Sequence, residues 1–351
     1  MSDSNESLID KSARLVVSFF LASAGLWLLV AAGLAYVVAA KSTDPTFLGS
    51  CEFLTYGKVK AAQTNAFVYG WASNAVFAVS IWLLARLGQA EVRGRFYLIV
   101  AGAVWNLAIT LGLGGILAGH MTSSDLMEMP VVVWPALLVS YFVIAAMIVV
   151  LHRSRINRET YVTQWFVLAS FLWFPALFLV AWQGLELNPG RGTVQSVVSM
   201  WYSQNVIWLW ITPIALGSAY YLIPKILGRP IEKYYLAIFG FWCIAFLAPW
   251  SGLHHLEGGP FPMWIPAIGT VMSIAMVFPI AVASTNFHAT AFKDIGKVWN
   301  NLPLRFVIFG TISYTISSYI GIIFSLPAVA KITQFSIINE FHFNQRVYGF
   351  F

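Results

Sequence analysis

Long apolar runs separated by short polar loops constrain the fold of this 351-residue chain more than any other feature. A helix needs about 20 apolar residues to cross a bilayer, and runs of that order fall at 15–40, 60–86, 96–118, 130–151, 162–183, 194–222, 235–255, 265–292 and 304–330. A tenth run begins near Phe335 and stops at Phe351 before it could finish crossing. The pattern predicts an all-α, polytopic membrane helix bundle of about ten transmembrane helices, in which 335–351 is an incomplete tenth helix.

Composition supports one membrane domain. Hydrophobic residues make up 59% of the chain and charged residues only 10%, and no soluble domain interrupts the runs. We therefore predict a single transmembrane domain over 1–351. The first run is too long for a signal-peptide core, so it is interpreted as a retained helix. Cys51 and Cys243 fall in an outer loop and in the seventh run, which excludes a disulfide framework between them.

The basic residues predict the orientation, because Lys and Arg are retained on the cytoplasmic side of a membrane. With the N-terminus inside, fourteen lie on the inner side and five on the outer side. The inner set is Lys11, Arg14, Arg86, Arg93, Arg95, Arg153, Arg155, Arg158, Lys225, Arg229, Lys233, Lys293, Lys297 and Arg305. The outer set is Lys41, Lys58, Lys60, Arg191 and Lys331. The formal charge of +6 thus reflects topology, with membrane lipid as the surrounding partner and no nucleic acid.

His254 and His255 are the sharpest local signal in the sequence. They lie at the outer end of the seventh run, shortly after Pro249 and Gly252. Adjacent helical positions diverge by roughly 100°, so both imidazoles can reach one metal ion only near a helix end or a distortion, which Pro249 and Gly252 favour. Imidazole is the commonest protein metal ligand. The alternative is that two interfacial histidines simply meet lipid headgroups.

Four motifs, in order along the chain, carry a family resemblance. They are Gln63-Thr64-Asn65-Ala66; Trp201-Tyr202-Ser203-Gln204-Asn205; Tyr220-Tyr221-Leu222-Ile223-Pro224-Lys225 followed by Arg229-Pro230; and Trp250-Ser251-Gly252-Leu253-His254-His255-Leu256. They resemble the His-Thr-Asn-Ala, Trp-Tyr-Gly-His-Asn, Tyr-Tyr-x-x-Pro-Lys-x-x-x-Arg-Pro and Trp-Ala-Gly-Pro-His-His-Leu motifs of haem–copper respiratory oxidase subunit I, C family (cytochrome cbb type). The resemblance runs nearly end to end.

The resemblance implies a chemistry and a setting. In that family, subunit I binds a low-spin haem through two histidines, a high-spin haem through one and a copper ion through three. A tyrosine on the seventh helix is covalently tied to one copper ligand. The family activity is electron transfer from cytochrome c to O2 with proton translocation. The resemblance also implies the bacterial cytoplasmic (inner) membrane, partner subunits such as membrane-anchored c-type cytochromes, and C-terminal truncation relative to twelve helices.

The motifs depart from the family where its cofactors bind. Gln63 stands at a low-spin haem ligand, Gln204 at a copper ligand and Ala248 at the tyrosine. On the tenth helix the family's His-x-His aligns with residues 340–342. The second histidine, a low-spin haem ligand, is kept as His342, and Glu340 replaces the high-spin ligand. A neutral amide is a poor donor to iron or copper compared with imidazole, and losing an axial ligand resets a haem's potential.

Two function classes remain open on these grounds. One is a cbb-type oxidase subunit that carries haem and copper, as the family resemblance implies. The other is a catalytically degenerate membrane scaffold or assembly subunit without haem. Whether the chain is an enzyme is left undecided by the sequence, because the ligand set is incomplete. The substitution of Gln63 predicts no bis-histidine low-spin haem.

The second class includes a hypothetical non-haem metal site. The residue at the high-spin ligand position points towards the copper pocket in the family, and here that residue is Glu340. His254, His255 and Glu340 would supply two imidazoles and one carboxylate, the ligand set of non-haem iron sites. Gln204 would then orient a ligand through a hydrogen bond. The alternative is that Glu340 is protonated or faces water.

Overall fold

The computed structural model describes residues 3–334 and 336–351, with side chains from Leu8 onward. Every secondary-structure element in this part of the chain is helical. Nine of its helices are long and apolar enough to cross a membrane, and they are numbered α1–α9: Leu8–Thr43, Tyr56–Gly88, Arg95–Ala118, Val131–Arg153, Val162–Leu187, Thr193–Leu227, Tyr234–Leu256, Trp264–Phe292 and Leu302–Phe324. The predicted all-α membrane bundle is confirmed.

The C-terminal part of the chain departs from the predicted boundaries. The ninth run was predicted to extend to residue 330, which is wrong: α9 ends at Phe324, and a separate short helix spans Pro327–Thr333. Proline cannot donate a backbone hydrogen bond and is favoured in the first helical turn, so Pro327 begins a new helix. The tenth segment forms α10, Ile337–Asn344, which continues as a π-helical turn over Gln345–Phe350. Phe335, its predicted start, lies outside the described residues.

Inter-residue contacts divide the chain into two compact units. Unit 1 comprises the described residues up to Glu159 together with Phe178–Asn188. Unit 2 comprises Thr160–Leu177 and Pro189–Phe351. Helices α1–α4 belong to unit 1, and α6–α10 belong to unit 2. The single transmembrane domain over 1–351 stays a prediction.

Polar side chains tie three helices together inside unit 1. The Trp27 indole of α1 donates to Asn106 Oδ1 of α3 at 2.7 Å, and Asn106 exchanges hydrogen bonds with Asn74 of α2 at 3.0 and 3.2 Å. Gly70 permits this approach, since a Cβ there would lie 2.7 Å from the Trp27 ring. Unsatisfied polar groups are costly in hydrocarbon, so the shared asparagine network fixes the packing of α1, α2 and α3.

The loop between α3 and α4 in unit 1 buries a carboxyl group. Glu128 is 9% exposed and accepts a hydrogen bond from Asn65 Nδ2 at 2.7 Å, while Tyr69 Oη donates to the Leu126 carbonyl at 2.5 Å. Burial raises the pKa of Glu128 to about 7, against the opposing effect of the Asn65 hydrogen bond. Burial also raises the pKa of Asp125. The folded protein therefore favours the protonated form of Glu128 more strongly than the unfolded chain does.

Aromatic stacking and buried amides organise unit 2. Phe166 of α5 stacks on Tyr220 of α6 with ring centroids 5.9 Å apart, and the Tyr220 hydroxyl accepts from Asn286 Nδ2 of α8 at 3.2 Å. Asn286 Oδ1 in turn accepts from the Lys233 backbone N–H at 3.1 Å. One asparagine thus joins the loop between α6 and α7 to helix α8.

The predicted orientation can be tested by cysteine accessibility. After Cys51 and Cys243 are replaced with serine, Arg158→Cys places a thiol in the exposed loop between α4 and α5, and Arg191→Cys places one in the loop between α5 and α6. In intact cells a membrane-impermeant maleimide should label only Arg191→Cys. Arg158→Cys should react only after permeabilisation, because the basic loops are retained inside. The reverse labelling pattern would show the opposite topology.

Glu128 should make the stability of the protein depend on pH. Its pKa rises from an ordinary 4.5 to about 7 on folding. Its favourable contribution is therefore complete below about pH 4.5 and is lost as the pH rises through 7. The loss is on the order of 3 kcal/mol. Glu128→Gln keeps an oxygen for Asn65 and cannot ionise, so the apparent thermal unfolding midpoint in detergent should fall less between pH 5 and 8.

Glu159→Gln provides the matched control, since it removes the same charge from an exposed position of unit 1. It should keep the wild-type pH dependence. An unchanged pH dependence in Glu128→Gln would assign the titration to another group.

Candidate functional site

His254 and His255 lie in a tightened turn at the C-terminal end of α7. The α-helical part of α7 ends at Ser251, and Gly252–Leu256 continue as a 3-10 helix after Pro249. The two imidazole centroids are 4.1 Å apart with an interplanar angle of 38°. The predicted distortion at Pro249 and Gly252 thus brings adjacent histidines to one place.

The hydrogen bonds of His254 fix its tautomer. Its Nδ1 lies 2.5 Å from the Ser251 carbonyl oxygen, and Ser273 Oγ, 3.0 Å from the same nitrogen, also donates to that carbonyl at 2.7 Å. A carbonyl can only accept, so Nδ1 carries the proton and Nε2 holds the lone pair. Gly269 of α8 packs on this turn, because a Cβ there would lie 2.2 Å from the His254 backbone nitrogen.

Gln204 of α6 packs against the same turn. A Cβ on Gly252 would lie 2.2 Å from Gln204 Cγ, so the glutamine side chain occupies the space beside the first residue of the His254–His255 turn. Ala248, which the sequence resemblance matches to the family's tyrosine, is buried, and its carbonyl accepts a hydrogen bond from Ser251 Oγ at 3.1 Å. The structure therefore brings Gln204 and the histidine turn together within unit 2.

Two π-helical segments begin shortly after Gln63 and Gln204. Ala66–Ala72 begins after Asn65 in unit 1, and Val206–Ile211 begins after Asn205 in unit 2. In each case the asparagine Nδ2 donates to the carbonyl four residues earlier, Ala61 at 2.9 Å and Trp201 at 2.8 Å. Each asparagine thus adds a side-chain donor to a helical carbonyl next to the point where the backbone hydrogen-bond pattern changes from α- to π-helical.

Gln63 is buried in unit 1, one helical turn from the start of the first π-helical segment. Its Oε1 lies 3.5 Å from Thr64 Oγ1. The amide thus sits inside the unit, at the position where the sequence resemblance predicts a family histidine.

His342 of α10 is held by the backbone of α9. Its Nε2 lies 2.8 Å from the Ser317 carbonyl oxygen, and a Cβ on Gly321 would lie 2.9 Å from the same nitrogen. Because a carbonyl only accepts, Nε2 carries the proton and has no lone pair to offer a haem iron. In this arrangement the residues do not fit a haem ligated through His342 Nε2. The amide of Gln204 likewise does not fit a copper site of three imidazoles.

Glu340 differs from the histidine turn in its exposure to solvent. It is exposed, whereas His254 is 8% exposed. Glu340 and His342 are two residues apart, so their side chains leave α10 in directions that differ by roughly 200°. Among the residues that the structure describes, no group of three or more His, Cys, Asp or Glu side chains is placed to hold a metal ion.

Arg346 is a buried residue of unit 2 that the sequence analysis did not identify as important. It is 4% exposed, its guanidinium carbon lies 4.0 Å from the centroid of the Trp208 ring, and Nη2 donates to Ser318 Oγ at 2.6 Å. Arg346 follows His342 by one helical turn, which places both on one face of the chain. That spacing was the available signal.

Comparison with known proteins gives the family. The model of Cytochrome C and Quinol oxidase polypeptide I matches residues 15–351. The Cbb3-type cytochrome c oxidase subunit CcoN1 of Stutzerimonas stutzeri is 26% identical over 332 residues, covering 92% of this chain and 69% of that protein. Cytochrome c oxidase subunit 1 of Rhodobacter capsulatus is 25% identical, covering 88% of this chain and 60% of that protein.

A solved structure supports the same fold. A heme-copper terminal oxidase dimer contains a chain that superposes with a TM-score of 0.74 at 12% identity, covering 97% of this chain and 66% of the solved one. The chain thus spans about two thirds or less of the length of these proteins. Family match and fold agree with the resemblance in the sequence motifs: the chain is a divergent member of the haem–copper oxidase subunit I family.

Proposed function

We propose that the chain is a cbb-type subunit I-like protein that keeps the membrane framework of the oxidase without the family's complete haem and copper centres. Its role would be that of a membrane scaffold or assembly subunit for other oxidase subunits. The observation that carries this proposal is the hydrogen bond between His342 Nε2 and the Ser317 carbonyl. It occupies the one haem-ligating histidine that the family alignment leaves in the chain.

The tautomer explains why this contact matters. Iron binds the lone pair of an imidazole nitrogen, whereas a nitrogen that donates to a carbonyl carries a proton instead. Binding iron through Nε2 would require His342 to break this bond and turn away from Gly321. The carbonyl of Ser317 would then lose the imidazole donor in an apolar environment, which adds to the cost of haem binding.

The other substitutions act in the same direction. Gln63 and Gln204 offer amide groups, which bind iron and copper weakly compared with imidazole. Ala248 has no hydroxyl, so it cannot supply the electron and proton that a tyrosine provides during cleavage of the O–O bond. On this proposal, three separate parts of the family's centre are altered together, which disfavours oxygen reduction by this chain.

Partner subunits are expected from the same reasoning. The curated relatives are oxidase subunits, and a framework without its own cofactors would contribute by holding others. Membrane-anchored c-type cytochromes are the partners that the family suggests. Their haem is covalently attached, so it can be told apart from the non-covalent haem of subunit I.

A haem inventory of the affinity-purified assembly tests the proposal. The tagged chain is isolated from its native membranes in mild detergent, and pyridine haemochrome spectra quantify haem b and haem c. We expect haem c from a co-purified cytochrome, well under two haem b per chain and no sharp low-spin α and β bands of haem b. A haem stain after denaturing electrophoresis should mark the partner band only.

A subunit I with the full histidine set, prepared in the same way, provides the control and should show two haem b. Two haem b with a split Soret band in the present chain would contradict the loss of the cofactor centres. Isolation of the chain without any other subunit would contradict the scaffold role.

A non-haem metal site at His254, His255 and Glu340 is the second candidate. It is favoured by the adjacent imidazoles and by the lone pair on His254 Nε2, and it would require Glu340 to turn inward from its exposed position. Elemental analysis of metal-replete protein should show a near-stoichiometric transition metal that a His254→Ala/His255→Ala variant loses. A His288→Ala variant, which alters a histidine of α8 outside the proposed site, should keep the metal. Absence of metal from the unmodified protein would end this hypothesis.

A further inference from the structure

A cavity of about 410 Å³ lies in unit 1 beside the first turns of α1. Its lining includes Asp10, Lys11, Arg14 and Ser18 of α1, together with Trp82 of α2. Lys11, Arg14 and Ser18 are exposed. The cavity lies on the side that the basic loops predict to be cytoplasmic, where α1 enters its apolar run.

The charges around the cavity do not balance. Asp10 is engaged by Arg86 of α2 through two contacts, Nε to Oδ1 at 2.7 Å and Nη2 to Oδ2 at 2.5 Å. Lys11 and Arg14 form no ion pair or hydrogen bond within the part of the chain whose side chains are described. Among the described lining residues, two cations one helical turn apart therefore face the cavity while the Asp10 carboxylate is already paired, which favours an anionic occupant.

An exposed apolar face of α1 continues from these cations. Positions 14, 18, 21, 25 and 29 recur at intervals of three or four residues and so lie on one face. Leu21 is 49% and Leu29 73% exposed, and a Cβ on Gly25 would meet no atom within 4 Å. From Arg14 to Gly25 the helix rises about 16 Å. That is close to half of a hydrocarbon core of about 30 Å.

We propose that this surface binds an anionic phospholipid of the cytoplasmic leaflet. Its phosphodiester lies between Lys11 and Arg14, with the Ser18 hydroxyl as a further donor, and one acyl chain follows Leu21, Gly25 and Leu29. The combination of a cationic head site and an apolar stripe one leaflet long fits a lipid better than an acidic protein helix. Basic pockets on this side of membrane proteins attract anionic headgroups in the same way.

Lipid binding can be measured by native mass spectrometry of the purified assembly after exchange into nanodiscs of phosphatidylcholine and phosphatidylglycerol. The wild type should retain phosphatidylglycerol preferentially. Lys11→Gln/Arg14→Gln should weaken that retention about tenfold or more and leave phosphatidylcholine unchanged. Gly25→Leu, which fills the open space above Gly25 without altering charge, should also weaken retention of phosphatidylglycerol.

Arg93→Gln/Arg95→Gln is the matched control, since it removes two exposed charges from the same unit and the same predicted side. It should behave as the wild type. An equal loss of phosphatidylglycerol retention in both double variants would show that the lipid is held by general charge attraction, and it would overturn the proposed site. Retention by Lys11→Gln/Arg14→Gln and by Gly25→Leu would also overturn it, as would crosslinking of a partner helix to this face in place of lipid.

Discussion

The need to satisfy backbone hydrogen bonds away from water governs this structure. In hydrocarbon every unpaired N–H or C=O group is costly, so a spanning chain is helical unless another group replaces the missing bond. The two π-helical segments obey the same constraint. Asn65 and Asn205 each donate an amide hydrogen bond to the carbonyl four residues before, at Ala61 and Trp201. A side-chain hydrogen bond thus precedes each departure from regular α-helix, within two residues of Gln63 or Gln204.

The packing of α6, α7 and α8 depends on small residues. Gly252 and Gly269 are positions where a Cβ would lie 2.2 Å from Gln204 or from the His254 backbone. Replacing them would separate α6, α7 and α8. The proposed loss of a copper ligand at Gln204 would change chemistry while the helices keep their contacts. The packing of the helices thus does not require a histidine at residue 204.

The sequence predicted the features that depend on composition and local chemistry. Apolar run lengths located the spanning helices, and Pro249 with Gly252 correctly indicated a distortion beside His254. The break after Phe324 was missed because Pro327 was counted inside an apolar run, although proline at a first helical turn starts a new helix. The exposed direction of Glu340 and the carbonyl contact of His342 depend on how α10 rotates against α9. Packing sets that rotation, and no single-residue pattern records it.

The contacts of Arg346 and His342 are consequences of that packing. A guanidinium buried at 4% exposure loses hydration worth several kcal/mol. Its ring contact with Trp208 returns about 2 kcal/mol in a desolvated place, and the hydrogen bond to Ser318 a comparable amount. Nε and Nη1 have no partner within the described residues. The cation is therefore tolerable only while both contacts hold, and both fasten the end of the chain against α6 and α9. His342 lies one turn earlier on the same face and is also hydrogen-bonded to α9. A haem ligated by His342 Nε2 would therefore have to displace this contact, next to the Arg346 contacts, because the structure leaves that nitrogen already bonded.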